Sequence, residues 1–423
     1  MVSAAERTGE RGEAQGGRRG ERPAEHREGR PRGERRRGFT LQWHITDRCN
    51  LRCLHCYRED EAAADLGVLE ASRLLRQLFD AMDDMHVAAH VAFTGGEPLT
   101  RPELLFALLE EAAARHRERP TFSVGLMTNA TLIDDEAAQR LAAYCPMLSS
   151  VQVSLDGSTA AQNDSIRGRG AFARTVAGIA ALRRACPAAL TISFTVQRQN
   201  LDDLGGIVDL GAEMGVDSLH IARFAPLGRG KDLRADAENP LTREDVRRAI
   251  EFLYQRNEEA RAAIARGDKR PLVAEERTLF HLADPAEAIR RYSAGSGRRL
   301  GNACAIGVAT ATVQSDGTLL PCRRLPIPLG NLTVTPFLTL WGKSEVLWDF
   351  RLRQRRLAGK CRACEFFTRY PGLCSGGAAC VAYAALGDYN LPDPHCWYEP
   401  GAGAGTVTRG RAPASFMMAQ RPT

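Results

Sequence analysis

The segment Thr46–Tyr57, TDRCNLRCLHCY, contains three of the chain's twelve cysteines: Cys49, Cys53 and Cys56. It follows an apolar run that predicts a strand over Thr40–Thr46, so the three thiols lie on a loop at the end of that strand. Three thiolates on one loop can bind three irons of a 4Fe-4S cluster and leave the fourth iron without a protein ligand. The alternative is a structural zinc site, which needs a fourth ligand such as His44 or His55.

A second segment, Gly95-Gly96-Glu97-Pro98, follows the next predicted strand, His90–Thr94. With the Cys-x3-Cys-x2-Cys loop, it resembles the radical S-adenosylmethionine (SAM) superfamily, in which a GGEP run is associated with the amino group of SAM. The resemblance implies that the three cysteines hold an open-iron cluster, which reductively cleaves SAM to a 5′-deoxyadenosyl radical that abstracts hydrogen from a substrate C–H bond. His55 stands where the family has an aromatic residue near the adenine, so a similar contact is expected of its ring.

Predicted strands and helices alternate from Thr40 to Phe224. The further strands are Phe122–Thr128, Ser150–Leu155, Leu190–Val196 and Ser218–Phe224, and the helices are Leu69–Met82, Pro102–Arg115, Asp134–Ala143, Ala171–Ala185 and Leu201–Met214. Such alternation indicates parallel βα units. Six units are too few for a complete eight-unit barrel. We therefore predict an α/β fold, with a partial (β/α)6 TIM-like barrel over residues 39–230.

Polar residues recur where these strands end, which is the active-site edge of a parallel barrel. By resemblance, Asn129 and Ser154 are expected to contact the ribose and methionine parts of SAM. Asp156, Gln197 and Arg223 are further candidates. The alternative for each of these residues is an ordinary turn or capping role.

Residues 301–400 contain seven of the twelve cysteines amid glycines, prolines and short predicted strands, which indicates a small cysteine-rich α+β domain. Its pattern resembles the SPASM domain, a carrier of auxiliary iron–sulfur clusters, through the Gly-x4-Cys run ending at Cys322 and the ending Asp393-Pro394-His395-Cys396. The resemblance implies one complete auxiliary 4Fe-4S cluster, with the ligands Cys361, Cys364, Cys374 and Cys396. Cys304 and Cys322, with Cys380 or a non-Cys ligand, either hold a second cluster or form a site open to substrate. A four-thiolate zinc site is the alternative for this domain.

The other segments are simpler. Residues 1–38 are rich in Arg, Glu and Gly and are predicted to be a disordered tail, which carries +4 of the net charge of +6. Nucleic-acid binding is therefore not expected.

Residues 231–300 are predicted to form a helical bridge and 401–423 a loose tail. The chain has neither a long apolar run nor a signal peptide, which predicts a cytoplasmic protein without a membrane span. Cys145 and Cys186 are interpreted as packing residues.

The leading functional hypothesis is oxidative modification of a ribosomal peptide, forming a thioether or carbon–carbon crosslink. The alternative is radical oxidation or rearrangement of a small molecule, such as an aminocyclitol or a tetrapyrrole, and a non-catalytic electron-transfer protein is the third possibility. Sulfatase-maturing relatives carry, at the position of Arg323, an Asp that serves as the base in the reaction. Formylglycine formation is therefore disfavoured for this chain. Arg323, Arg324 and Arg223 are candidates to meet a carboxylate or a peptide backbone.

Two kinds of partner protein are expected from the same resemblance. One is a low-potential reductant such as flavodoxin or ferredoxin, which would supply the electron for SAM cleavage. The other is a separate protein that binds the leader of a peptide substrate, because residues 1–38 are not expected to form a leader-binding domain. Without such a partner, the helical bridge would have to bind the leader.

Overall fold

In the computed structural model, the described residues are 37–58, 64–231, 233, 241–268, 272–275, 278–293, 304–352, 356–370 and 372–401. The two tails predicted from composition lie almost entirely outside these ranges. None of the helices in the described ranges combines the length and the hydropathy that a bilayer-spanning segment needs.

Ten strands are described: β1 Arg37–Thr46, β2 Val87–Gly95, β3 Phe122–Thr128, β4 Leu148–Ser154, β5 Ala189–Val196, β6 Ser218–Arg223, β7 Leu272–Glu275, β8 Thr310–Val313, β9 Thr318–Leu320 and β10 Gly330–Asn331. The helices are α1 Val68–Asp84, α2 Pro102–Glu118, α3 Asp135–Ala142, α4 Ala160–Arg167, α5 Ala171–Ala185, α6 Leu204–Glu213, α7 Arg243–Ala265, α8 Pro285–Ser293, α9 Phe337–Lys343, α10 Glu345–Arg351, α11 Glu365–Thr368 and α12 Ala379–Leu386. Short 3-10 turns connect several of them.

All ten strands belong to one sheet with the order β10-β9-β8-β1-β2-β3-β4-β5-β6-β7. Strands β1 to β7 are parallel, β8 pairs with β1 in parallel, and β9 and β10 continue the sheet as antiparallel strands. The predicted α/β class with a partial barrel is confirmed. The structure adds a seventh parallel strand, β7, within the range predicted as a helical bridge. The first strands of the cysteine-rich segment also extend the barrel sheet.

Strand β1 shows how the sequence separates the core from the site. Phe39, Leu41, Trp43 and Ile45 alternate along the strand and are at most 2% exposed. Because side chains alternate between the two faces of a strand, the intervening polar residues point to the opposite face. His44 and Thr46 belong to that second set and are also buried. The strand therefore builds the apolar core on one face and delivers polar groups to the site on the other.

Candidate active site

A cavity of about 330 Å³ lies at the carboxyl ends of the parallel strands. Three groups of residues form its wall: the cysteine loop, the ends of strands β2 to β6, and a turn of the cysteine-rich segment. They include Cys49, Cys53, His55, Cys56, Gly95, Gly96, Met127, Asn129, Gln152, Ser154, Arg223, Arg323 and Arg324. The structure therefore brings together the predicted SAM-site cysteines, the two glycines, His55, Asn129 and Ser154 in one place.

The start of the cysteine loop is fixed by Asp65. Its carboxylate accepts hydrogen bonds from the Thr46 hydroxyl at 2.6 Å and from the Asp47 amide at 2.9 Å. The Arg101 guanidinium donates to the same carboxylate at 3.0 Å. Further along, the Leu54 amide donates to the Ile166 carbonyl at 2.9 Å, which ties the middle of the loop to α4. The loop is thus anchored on both sides of its first two cysteines.

The GGEP run docks directly onto the backbone of the same loop. The Gly96 amide donates to the Thr46 carbonyl at 2.8 Å, and the Glu97 amide donates to the Arg48 carbonyl at 2.7 Å. A Cβ atom on Gly96 would lie 2.1 Å from the Arg48 carbonyl oxygen, and one on Gly95 would lie 2.2 Å from that of Thr46. Gly95 also has a φ of +138°. Only glycine permits this close approach of two backbones.

Glu97 and Pro98 lie behind the cavity wall rather than in it. The Glu97 carboxylate accepts hydrogen bonds from the Thr128 hydroxyl at 2.8 Å and from the Asn129 amide at 2.7 Å, so it joins the ends of β2 and β3. Burial raises the pKa of Glu97 to about 7, although these hydrogen bonds lower it. The structure therefore presents the two glycines to the cavity, and the predicted association of the GGEP run with SAM stays a prediction.

His55 and Arg167 share a buried carboxylate. Asp156 is 0% exposed, and its Oδ2 lies 3.1 Å from His55 Nε2 and 2.7 Å from Arg167 Nη2. Burial raises the pKa of Asp156, but the charges of Arg167 and His55 outweigh that effect and lower it to about 2. Arg167 also reaches to 4.0 Å from the Cys53 sulfur. Asp156 consequently orients two cavity residues and is not itself a ligand-facing group.

Asn129 contributes to the wall through a short hydrogen-bond chain. Its side-chain amide donates to Asn50 Oδ1 at 2.9 Å, and its own Oδ1 accepts from the Thr131 amide at 2.9 Å. Gln197, another predicted candidate, is buried and does not border the cavity within the described residues. Its backbone amide donates to the Asn200 side chain at 2.7 Å, which is a turn-forming role.

Arg223 borders the cavity and is held there by protein partners, and its predicted contact with a substrate stays a prediction. Its guanidinium donates to both oxygens of Asp393, at 3.0 and 2.8 Å, and also to the Thr278 hydroxyl at 2.9 Å. The carboxylate of Asp393 in turn accepts from the amides of Ala378 and His395, at 2.8 and 3.0 Å. This network connects the end of β6 to the loop that carries Cys396.

The later cysteines fall into groups. Burial raises the pKa of Cys364, Cys374 and Cys396, although backbone hydrogen bonds lower it, and each of the three also has a thiol of the same predicted set among the smaller causes that raise it. Cys361 packs with Cys364 in a small buried cluster. Those four form the predicted complete set. Cys304 and Cys322 pack in a separate cluster beside Ala379, whereas Cys380 is buried with Ala378 and Val381. The ligation of a second cluster by Cys304, Cys322 and Cys380 stays a prediction.

The donor chemistry of both sets fits iron–sulfur clusters, because each set consists of cysteine thiols. Within the described ranges, no three His, Cys, Asp or Glu side chains converge closely enough to hold one metal ion. A cluster spreads its thiolates over separate irons. Burial raises the pKa of Cys49 to about 11, despite an opposing hydrogen bond from the Leu51 amide. The Cys49 thiol is therefore expected to lose its proton at neutral pH only when a cationic group is bound to its sulfur.

Comparison with known proteins agrees with this geometry. Residues 43–211 match the model of the radical SAM superfamily, and residues 304–365 match that of SPASM, an iron-sulfur cluster-binding domain. The AdoMet-dependent heme synthase of Methanosarcina barkeri is 30% identical over 85% of this chain and 97% of its own length. The chain belongs to the radical SAM superfamily. It is a radical SAM/SPASM enzyme whose cofactors are SAM, a 4Fe-4S cluster and auxiliary iron–sulfur clusters.

Other similar proteins have different functions. The mycofactocin maturase MftC of Mycobacterium tuberculosis is 30% identical over 84% of this chain and 82% of its own length. Among solved structures, Streptococcus suis SuiB bound to the precursor peptide SuiA superposes with a TM-score of 0.62, at 19% identity over 86% of this chain and 76% of that one. An anSMEcpe structure with bound AdoMet gives a TM-score of 0.64 at 17% identity, over 85% of this chain and 90% of that one. These two structures support the fold alone.

Several cavity residues were not predicted from the sequence. Arg167 reaches the cavity from the end of α4, and Tyr57 lies beside the third cysteine with its hydroxyl 3.3 Å from His44 Nε2. Arg229 and Gln152 also border the cavity. For Arg167, one sequence feature could have helped. Thr159 is a typical N-cap residue, and its side chain caps the first turn of α4, the short helix that ends at Arg167.

Proposed function

We propose that this radical SAM/SPASM enzyme oxidatively modifies a ribosomally made peptide, closing a thioether or carbon–carbon crosslink. The observation that carries the proposal is that the turn Cys322–Arg324 contributes two arginines to the cavity that the SAM-site cysteines also line. A predicted auxiliary-cluster ligand thus lies next to the substrate space. Forming a bond with loss of two hydrogens requires a nearby acceptor for the second electron, and a cluster bound by Cys304 and Cys322 would be such an acceptor.

The bound groups supply the redox chemistry: SAM with its cluster provides a hydrogen-abstracting radical, and the auxiliary clusters accept electrons. The chain's own residues position and shield the reacting groups. Cys49, Cys53 and Cys56 would hold the first cluster, and Cys361, Cys364, Cys374 and Cys396 an auxiliary one. Gly95 and Gly96 would offer backbone groups to SAM, with His55, Asn129 and Ser154 as neighbouring contacts.

Arg323 is the best-placed residue to bind the substrate. Its guanidinium lies in the cavity wall, where Nη1 contacts the Met127 sulfur at 3.7 Å, and no carboxylate among the described residues pairs with it. The neighbouring Arg324 donates to the Arg223 carbonyl at 2.8 Å. A guanidinium binds carboxylates and peptide carbonyls through parallel hydrogen bonds. Arg323 would therefore anchor a carboxylate or backbone carbonyl of the peptide.

Radical modification of a tetrapyrrole is the second candidate function. The specific observation in its favour is that the chain matches the Methanosarcina barkeri heme synthase along 97% of that protein. The cavity arginines would suit the carboxylate side chains of such a substrate equally well. In either case, a low-potential flavodoxin or ferredoxin would supply the electron. For a peptide, a separate protein or α7 would recognise the leader.

The test uses full-length protein reconstituted anaerobically with iron and sulfide. Candidate peptides encoded beside the gene are co-expressed and then examined by mass spectrometry, with an iron-loaded tetrapyrrole carrying propionate groups as the parallel substrate. Conversion of a peptide to a product lighter by two hydrogens supports the proposal, and the Cys361→Ala variant should form 5′-deoxyadenosine without that product. Modification of the tetrapyrrole alone would overturn the peptide assignment. If Cys49→Ala retained full iron content, the assignment of the first cluster would be wrong.

A further inference from the structure

Two cysteines outside the cluster sets form a contact at the opposite end of the sheet. The sulfur atoms of Cys145 and Cys186 are 3.8 Å apart, although the residues are separated by 41 positions in sequence. Cys145 lies in the turn between α3 and β4, and Cys186 caps the C-terminus of α5 just before β5. Both therefore lie at the amino ends of their strands. Because β4 has seven residues, the cavity edge is about 20 Å away.

We propose that Cys145 and Cys186 are a redox-active dithiol, which closes reversibly to a disulfide without involving the cluster cysteines. The sulfur separation exceeds a disulfide bond of about 2.05 Å by less than 2 Å. Both residues lie in connecting segments, not inside a strand or helix, so a small shift of either connection can close the gap. Cys145 is partly exposed, which gives an oxidant access, whereas Cys186 is buried behind it.

The environment of the pair also favours thiolate chemistry. The hydrogen bond from Cys145 lowers the pKa of Cys186 to about 7, although burial raises it. The same hydrogen bond and burial raise the pKa of Cys145. The Leu148 carbonyl oxygen lies 3.3 Å from the Cys145 sulfur and is the alternative acceptor for its single S–H hydrogen. A thiolate beside a thiol is the arrangement from which disulfide exchange starts.

The reaction balances with glutathione disulfide as the oxidant. A thiolate of the pair attacks one sulfur of glutathione disulfide and releases one glutathione thiolate, giving a mixed disulfide. The second thiol of the pair, after losing its proton, attacks the protein sulfur of that mixed disulfide and releases the second glutathione. Two S–H bonds and one S–S bond are broken, one protein S–S bond and two glutathione thiols are formed, and two electrons pass to glutathione.

The experiment equilibrates the reconstituted full-length protein in anaerobic buffers of graded glutathione to glutathione disulfide ratio. Exclusion of oxygen keeps the clusters intact. Free thiols are then alkylated, and linked peptides are identified by mass spectrometry. We expect a peptide pair joined through Cys145 and Cys186 that grows with the oxidised fraction, disappears with dithiothreitol, and leaves iron content unchanged. Complete alkylation of both residues at every ratio, or links from them to other cysteines, would overturn the proposal.

Single-residue variants separate a paired dithiol from two independent thiols. In Cys145→Ser, we expect Cys186 to stop at the mixed disulfide with glutathione or to stay reduced, and Cys186→Ser gives the complementary result for Cys145. Iron content and SAM cleavage should stay within about twofold of the parent protein in both variants, since the pair lies away from the cavity. A cross-link that persisted at Cys186 in the Cys145→Ser variant would contradict the pairing.

Discussion

Arg223 and Asp393 form a doubly hydrogen-bonded ion pair, with N–O distances of 3.0 and 2.8 Å, between residues 170 positions apart. Both side chains are buried. Burial raises the pKa of Asp393, but Arg223 lowers it below its ordinary value. The carboxylate also accepts hydrogen bonds from the backbone amides of Ala378 and of His395, which precedes Cys396, so it connects the barrel strand β6 to the segment that carries Cys396.

Asp393→Asn should destabilise the apoprotein by about 3–5 kcal/mol, because it removes the negative charge that pairs with the buried Arg223 guanidinium. Urea unfolding measures this change. We also expect iron to be lost from the Cys361, Cys364, Cys374 and Cys396 set. Arg247→Gln is the matched control, since it breaks an exposed ion pair with Glu251 that is worth less than about 1 kcal/mol. Equal effects of the two variants would contradict the role of the buried pair.

Gly96→Ala should impair SAM binding. The new Cβ would lie 2.1 Å from the Arg48 carbonyl oxygen, so the GGEP run must move away from the cysteine loop. We expect SAM cleavage to fall by about 100-fold, as is typical for a displacement near 1 Å in a reacting geometry. The dissociation constant of SAM should rise as well, as measured by calorimetry on reconstituted protein. Gly38→Ala is the control, because nothing lies within 4 Å of its added Cβ.

His281→Phe should reduce the pH dependence of stability. His281 is buried against the Phe366 ring, and burial lowers its pKa from 6.5 to about 3. Between pH 6.5 and about 3, this histidine is protonated in the unfolded chain but neutral in the folded chain. The free energy of unfolding therefore decreases as pH falls below about 6.5. Removing the histidine should decrease the slope by about 1.4 kcal/mol per pH unit between pH 6 and 4.

Urea unfolding of the apoprotein at several pH values measures this slope. His86→Phe serves as the control, because His86 is an exposed histidine whose ring nitrogen Nδ1 contacts only the Asp84 carbonyl among the described residues. An unchanged slope in His281→Phe would show that His281 takes up its proton without unfolding.

Arg323→Gln should weaken substrate binding more than it slows the chemical step. Loss of a charge-assisted hydrogen bond of about 1.5–3 kcal/mol corresponds to a rise in KM of about 10- to 100-fold. Formation of 5′-deoxyadenosine without substrate should be unaffected. Arg323→Lys keeps the charge but loses the parallel donors, so an intermediate KM is expected. A fall in kcat alone, with KM unchanged, would place Arg323 outside substrate binding.

The parts of the fold that follow from local sequence were predictable. Short apolar runs separated by segments of helical periodicity predicted six strands, and the predicted carboxyl ends of β3 and β5 are the same residues as in the structure. Strand β7 was missed because its four residues, Leu272–Glu275, are too few for periodicity to separate from the surrounding helix-prone sequence. The helix α4 was missed because its sequence, AAQNDSIR, contains a single large apolar residue, Ile166, and so shows no apolar periodicity.

The site residues that could be predicted are likewise those that belong to a local sequence pattern. The three-cysteine loop and the paired glycines each carry a local spacing, and the structure brings both to the cavity. The ion pair between Arg223 and Asp393 could not be predicted, because no local pattern indicates a buried pair over such a distance in sequence. The hydrogen bonds of the Glu97 side chain at the end of β3 were not predictable either, because only the packed sheet fixes their direction.

The pairing of β1 with β8 has a consequence for protein synthesis. Thr310 is the partner of Thr40, so the strand that precedes the cysteine loop acquires its second neighbour only after about 270 further residues have been translated. At roughly 5–20 residues per second, this takes about 15–55 s. Throughout that interval one edge of the nascent sheet is unprotected beside the first cysteines. Newly made chains thus have a prolonged period in which chaperones and iron–sulfur assembly factors can reach the loop.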